Sequence, residues 1–192
     1  MHDECDKDNI SMEKVKAGDK SAYEELVIKH REAAISFAYS YISDLCEAED
    51  IVQECFVKIY INRAEYKPSA TFKTYLFTVI RNHCIDYLRQ NKKNRLTNLD
   101  DVAEISGISG MSNIDTPESS LIQSERMNLI FSRLESLPND YKTALYLFAV
   151  DQMSYSQIAE IMRKSTPQIK IIIYRARKKL KNLCKGDDIC EN

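Results

Sequence analysis

Residues 154–183 read SYSQIAEIMRKSTPQIKIIIYRARKKLKNL, and this stretch decides the fold. Ser154 and Gln157 form an S-x-x-Q capping box, which supplies partners to the orphan N–H groups at a helix start. Ile158, Ala159 and Met162 give the helix that follows one apolar face. Arg163-Lys164-Ser165 is a turn. Thr166 and Pro167 then open a second helix, Thr as N-cap and Pro at a first-turn position where its missing N–H costs nothing. On a 3.6-residue period that second helix buries Ile169, Ile173, Ala176 and Leu180. It presents Pro167, Ile171, Tyr174, Arg175 and Lys178, flanked by Gln168 and Lys170. From Arg163 to Lys185 there are nine basic residues and no acidic one. The pattern predicts a helix-turn-helix whose second helix enters a major groove. Basic side chains such as Lys164 hold phosphates there, while Gln, Arg and Ile read base edges or a thymine methyl.

The rest of the chain reads as helix too. Glycine and proline are scarce, at four each in 192 residues, and apolar periodicity near 3.6 runs almost throughout, so the expected class is all-α. No apolar run approaches the ~20 residues that span a bilayer, and the acidic N-terminus is wrong for a signal peptide. A cytoplasmic protein without membrane insertion is expected. The six cysteines (Cys5, Cys46, Cys55, Cys84, Cys184 and Cys190) are thiols in that compartment. None stands in a C-x-x-C pair and the histidines complete no ligand spacing, so neither metal nor cofactor is expected. Cys55 and Cys84 lie on apolar faces and read as small buried hydrophobes.

A net charge of −2 conceals segregation. Residues 1–60 are net −7, residues 61–95 net +6, residues 96–125 carry six acids and no base, and residues 163–185 are net +9. Two basic blocks separated by an acidic stretch imply two nucleic-acid contacts, with acidic surface left for another partner.

Residues 1–9 read as polar and disordered. A short helix is expected over 11–17, stopped by Gly18. A capping box at Ser21 and Glu24 opens a long helix to Ile42, with Ala22, Leu26, Ala33, Phe37 and Tyr41 inward. Asp44 caps the next helix, which buries Leu45, Ile51, Val52, Cys55, Phe56 and Ile59 and exposes Glu47, Asp50, Gln53, Glu54 and Lys58. Residues 63–70 form a loop. The helix from Phe72 buries Phe72, Leu76, Val79, Ile80, Cys84 and Leu88. In and before it stand Tyr66, Lys67, Lys73, Tyr75, Arg81, Asn82, Tyr87 and Arg89, rings interleaved with cations. That mixture suits unstacked single-stranded bases; it also suits a core helix whose tyrosines merely pack. Residues 96–116 lose periodicity and form a linker. Thr116-Pro117-Glu118 caps a helix to about Ser136, and a short apolar helix over 141–150 feeds the helix-turn-helix. The expected domains are 11–95 and 117–185, the second with four helices, joined by a flexible acidic linker.

Glu49-Asp50-Ile51-Val52-Gln53-Glu54-Cys55-Phe56, the run Phe72-Lys73-Thr74-Tyr75-Leu76 with Ile80-Arg81-Asn82 and Asp86-Tyr87-Leu88-Arg89, and the C-terminal motifs Leu134-Glu135-Ser136-Leu137-Pro138, Gln157–Ile161 and Arg175–Leu180 occur in one order. In that order the chain resembles the extracytoplasmic-function (ECF) sigma factors of bacterial RNA polymerase, over about residues 11–183. The resemblance implies that Asp50, Gln53 and Glu54 dock on clamp helices of the polymerase core. It implies that Tyr66, Tyr75 and Asn82 hold a flipped −10 base, with Lys67, Lys73, Arg81 and Arg89 on the same DNA. The −35 element would fall to Lys164, Gln168, Lys170, Ile171, Tyr174, Arg175 and Lys178. Promoter DNA, core polymerase and an anti-sigma protein clamping both domains are the implied partners. The chain departs from the family pattern in three places: Tyr75 stands where Trp is usual, Arg163 where the turn commonly has Gly, and Ile171-Ile172 where a Ser-Arg pair is frequent. A second reading is a one-component regulator whose first domain senses a ligand or dimerises. Such a domain has no need of the tyrosine-rich, net +6 helix of 61–95. No nucleophile–base pair, paired carboxylates or glycine-rich phosphate loop supports an enzyme.

Overall fold

The computed structural model describes residues 2–67, 70–97 and 137–184. Among these, seven α-helices and one 3-10 turn account for the regular structure. The helices are α1 (His2–Lys16), α2 (Lys20–Ile42), α3 (Leu45–Ile61), α4 (Phe72–Thr97), α5 (Asn139–Ala149), α6 (Tyr155–Met162) and α7 (Thr166–Cys184); the 3-10 turn is Arg63–Glu65. The linker expected over 96–116 lies outside the described residues apart from the last two positions of α4, as does the helix expected over 117–136.

The expected disorder of residues 1–9 is corrected. α1 begins at His2, and Asp8 near its middle is buried. Lys29 Nζ donates to Asp8 Oδ1 at 2.8 Å, and His30 Nε2 lies 2.8 Å from Oδ2. Asn9 is a second tie. Its Oδ1 accepts from the Tyr66 hydroxyl at 2.9 Å and from the Phe72 N–H at 3.0 Å, while its Nδ2 donates to the Ala70 carbonyl at 3.3 Å. These partners lie far off in sequence, so an N-terminal segment that reads as polar is held by polar groups that hydropathy does not register.

Three caps also move. Asp19, not Ser21, caps α2 by accepting from the Ala22 N–H. Ser165, not Thr166, caps α7: Gln168 N–H reaches Ser165 Oγ at 3.4 Å while Ser165 N–H donates to Gln168 Oε1 at 2.8 Å. Thr71 accepts from the Thr74 N–H at 3.1 Å at the start of α4. The Ser154–Gln157 capping box and the Asp44 cap stand where the sequence put them.

Apolar residues from both halves meet in one core. Phe37 on α2 is its centre, edge-on to Phe77 of α4 at 4.6 Å and within 5.7 Å of Tyr146 of α5. His30, Ala34 and Ala38 share the buried stripe of α2 with Ala22, Leu26 and Phe37, whereas Ala33 and Tyr41 are half-buried. Phe77 is fully buried in α4, and Val79 and Leu88 only partly. Leu45 is exposed rather than core, because it opens α3 directly after the Asp44 cap, where no helix covers it. The C-terminal helices therefore do not stand apart: α5 packs on α2, and α6 packs on α4.

Candidate nucleic-acid and protein interfaces

The face of α7 matches expectation residue by residue. Ile169, Ile173 and Ala176 are buried against α5 and α6, and Gln168, Lys170, Ile171, Tyr174, Arg175 and Lys178 are exposed. The turn that sets its angle rests on Arg163, which adopts the left-handed region at φ 52°, ψ 47°. Because Gln168 Oε1 is committed to the Ser165 N–H, the amide has only donors left for a partner. It can therefore give hydrogen bonds to base-edge acceptors but cannot form the two-way pairing with adenine. Two contacts were not legible beforehand. The Phe148 and Tyr155 rings stack at 5.3 Å, with Arg177 4.7 Å over Phe148 and Lys170 5.8 Å over Tyr155. This aromatic pair steadies two cations of α7 from beneath.

The expected −10 residues do not share one face. Tyr75, Asn82 and Arg89 recur every seven positions on α4, so they fall on one stripe. Lys73, Phe77 and Arg81 recur every four and turn towards the C-terminal half. Lys73 Nζ lies 2.7 Å from Asp151, and Arg81 lies 3.9 Å from Asp140 with its side chain nearly covered. Tyr66 needs correction as a stacking platform. Its ring is 3% exposed, edge-on to Tyr75 at 5.2 Å, and its hydroxyl is held by Asn9, so in this arrangement it packs and no base can reach it. Burial pushes the Tyr66 hydroxyl up to about 12. Tyr75 remains half-exposed beside it, Lys67 is exposed, and Arg89 pairs with Asp86 at 3.5 Å.

The outer side of α3 forms the third surface. Asp50, Gln53 and Glu54 are exposed and line a shallow groove of about 460 Å³ with Val57, Lys58, Ile61 and Asn62. Val57 and Ile61, 58% and 67% exposed, extend the acidic ridge with an apolar end. Their spacing from Glu54, three and seven positions on, was the available signal. Behind the ridge, Cys55 Sγ lies 3.6 Å from His83 Nδ1, and His83 Nε2 lies 3.0 Å from Glu54 Oε2. Burial pushes the Cys55 thiol up to about 12, so it stays protonated and can donate to Nδ1. That leaves Nε2–H to donate to Glu54. Cys84 is likewise buried and pushed up to about 12, so both behave as the small hydrophobes expected.

Two segments of the chain match described families: Sigma-70 region 2 over residues 26–94, and Sigma-70 region 4 over residues 127–180. The ECF RNA polymerase sigma-E factor of Haemophilus influenzae is 31% identical over 178 residues, covering 91% of this chain and 94% of its own length. The chain belongs to the ECF RNA polymerase sigma factors. It directs promoter-specific initiation of transcription by RNA polymerase.

The solved structure of CnrH in complex with the cytosolic domain of CnrY shares the fold at a TM-score of 0.70 and 21% identity, covering 95% of this chain and 99% of that one. The sigma factor RpoE in complex with the anti-sigma factor NepR, from Bartonella quintana, aligns at 0.67 and 23%, covering 86% and 98%. In this sigma factor the region 2 match holds α3 and most of α2 and α4, and the region 4 match holds α5, α6 and most of α7. No helix among the described residues is long and apolar enough to cross a membrane.

Proposed function

We propose that the three surfaces divide the work of initiation. The α3 ridge of Asp50, Gln53 and Glu54, extended by Val57 and Ile61, docks on the polymerase core. The stripe of Tyr75, Asn82 and Arg89, with Lys67, Lys73 and Arg81, takes the −10 strand once its bases leave the stack. The α7 face of Lys164, Gln168, Lys170, Ile171, Tyr174, Arg175 and Lys178 takes the −35 duplex. Two functional domains, 11–95 and 117–185, follow from that division. The observation that carries it is the outer face of α7, basic and fully exposed while its opposite face is core. An anti-sigma partner is part of the proposal, since one fold relative was solved with such a protein, and the site of action is the cytoplasm.

The test is run-off transcription with core polymerase on closed and premelted templates, with permanganate footprinting of −10 thymines. Base stacking on one aromatic ring is worth ~1–3 kcal/mol. Tyr75→Ala or Asn82→Ala should therefore weaken opening about tenfold or more, and a premelted bubble should restore much of it. Arg175→Ala should weaken recruitment to duplex, and the bubble should help far less. An identical response of Asn82→Ala and Arg175→Ala to premelting refutes the assignment of melting to α4.

A further inference from the structure

The cations of α4 are already occupied. Lys73 and Arg81 stand two turns apart on the helix, and each faces an aspartate from the C-terminal half. Asp151, just beyond the C-terminal end of α5, takes Lys73 at 2.7 Å; Asp140, at its N-terminal end, lies 3.9 Å from Arg81 and 3.1 Å from Lys164. Between them the Thr143 hydroxyl hydrogen-bonds the Tyr41 hydroxyl, and Tyr146 packs on Phe37. Two carboxylates spaced along a helix, opposite two cations spaced along another, present to α4 the charge pattern of a phosphate backbone.

We propose that α5 with its flanking Asp140 and Asp151 is an intramolecular latch: the C-terminal half docks on the Lys73–Phe77–Arg81 face of α4 and competes there with nucleic acid. The contact is built to release. Asp151 Oδ2 and Arg81 Nε are buried without a hydrogen-bond partner, and orphan polar groups of that kind weaken an interface. In the closed chain Lys73 is 31% exposed and Arg81 only 13%, so a DNA strand cannot reach both. Asp140 also holds Lys164, so the same carboxylate engages a cation from each DNA-binding surface. The competition rests on the reading of α4 as a DNA surface; the latch itself does not.

The experiment uses the full chain, with two readouts. Small-angle scattering reports closure, for which a compact chain of this length has a radius of gyration of ~16 Å. Anisotropy with a labelled oligo(dT) reports access to the α4 cations. Asp151→Lys should expand the chain, and Lys73→Asp combined with Asp151→Lys should compact it again, which a folding defect would not do. Asp151→Asn should tighten oligo(dT) binding about tenfold, as expected when one partner of a largely covered pair is removed. Glu160→Gln, which removes an exposed charge from the same half, should change it less than about twofold. Unchanged scattering by Asp151→Lys, or expansion that the swapped pair does not reverse, overturns the latch. Equal tightening by Asp151→Asn and Glu160→Gln overturns the competition. Expansion with no gain in oligo(dT) binding refutes the DNA reading of α4 and leaves the latch standing.

Discussion

Reversing the charge of Asp50 and Glu54 together separates docking from folding more cleanly than any other change in the chain. Both side chains are exposed on the middle turns of α3. The one ion pair lost is Glu54 with His83, whose side chains are 67% and 31% exposed, and a pair so open to water is worth only ~0–0.5 kcal/mol. Lysine is at least as good a helix former as aspartate and close to glutamate, which offsets part of that loss. The double variant should therefore unfold within ~1 kcal/mol of the parent, since surface changes of this kind rarely exceed it. Docking should suffer far more. Two carboxylates lost from a charge-complementary contact, and two cations set in their place, should cost ~3–5 kcal/mol, or a few hundredfold or more in Kd. The assay is titration of labelled chain with core polymerase, beside a circular dichroism melt. An affinity within about threefold of the parent, with an intact melt, removes α3 from the docking surface.

Two further outcomes follow from particular side chains. His30 is held neutral: burial lowers its imidazole below the ordinary 6.5, with Asp8 opposing the shift and Lys29 and Lys73 adding to it. The unfolded chain thus binds the proton more readily, so stability should fall as pH drops below that value, and His30→Gln should flatten the slope of melting temperature between about pH 7 and about pH 5. Arg163 occupies the left-handed position that closes α6, where a side chain costs ~1 kcal/mol or more relative to glycine's freedom, so Arg163→Gly should raise urea-unfolding stability by ~0.5–1 kcal/mol. A destabilised Arg163→Gly would mean that its side chain makes a contact outweighing the backbone strain.

The helix-turn-helix was readable because every signal in it is local. The capping box, the turn and the 3.6-residue stripe of Ile169, Ile173 and Ala176 all lie within thirty residues of sequence. The region of α4 was readable as a helix but not as two faces. Lys73, Tyr75, Arg81 and Asn82 look alike as a list of polar residues, and only the packing of α5 and α6 decides which of them meet protein. Tyr66 was misread for a related reason. A tyrosine in a polar loop looks available until Asn9, 57 positions earlier, claims its hydroxyl. Asp8 and His30 are the same case at a distance of 22. Long-range polar pairing leaves no periodic trace, whereas apolar burial does.

The two protein-facing surfaces differ in one respect that orders events. α3 packs on α2 and α4, and its ridge of Asp50, Gln53 and Glu54 is exposed while α5 covers Lys73 and Arg81. Polymerase can therefore engage the closed chain without first opening it. DNA cannot engage both α4 cations without opening it. A partner shifts a closed–open equilibrium only by its differential affinity for the two states, so docking at α3 alone leaves the latch where it was. Opening requires a second polymerase contact that the C-terminal half makes only when it has left α4. Moving the equilibrium from ~1:99 to ~99:1 needs ~5.5 kcal/mol of such preference. Latch variants should then gain most in the free chain and least in holoenzyme, where polymerase has already supplied that preference. An Asp151→Asn chain that initiated transcription faster than the parent at saturating polymerase, in proportion to its gain on free oligo(dT), would show that the latch persists in holoenzyme and that this order is wrong.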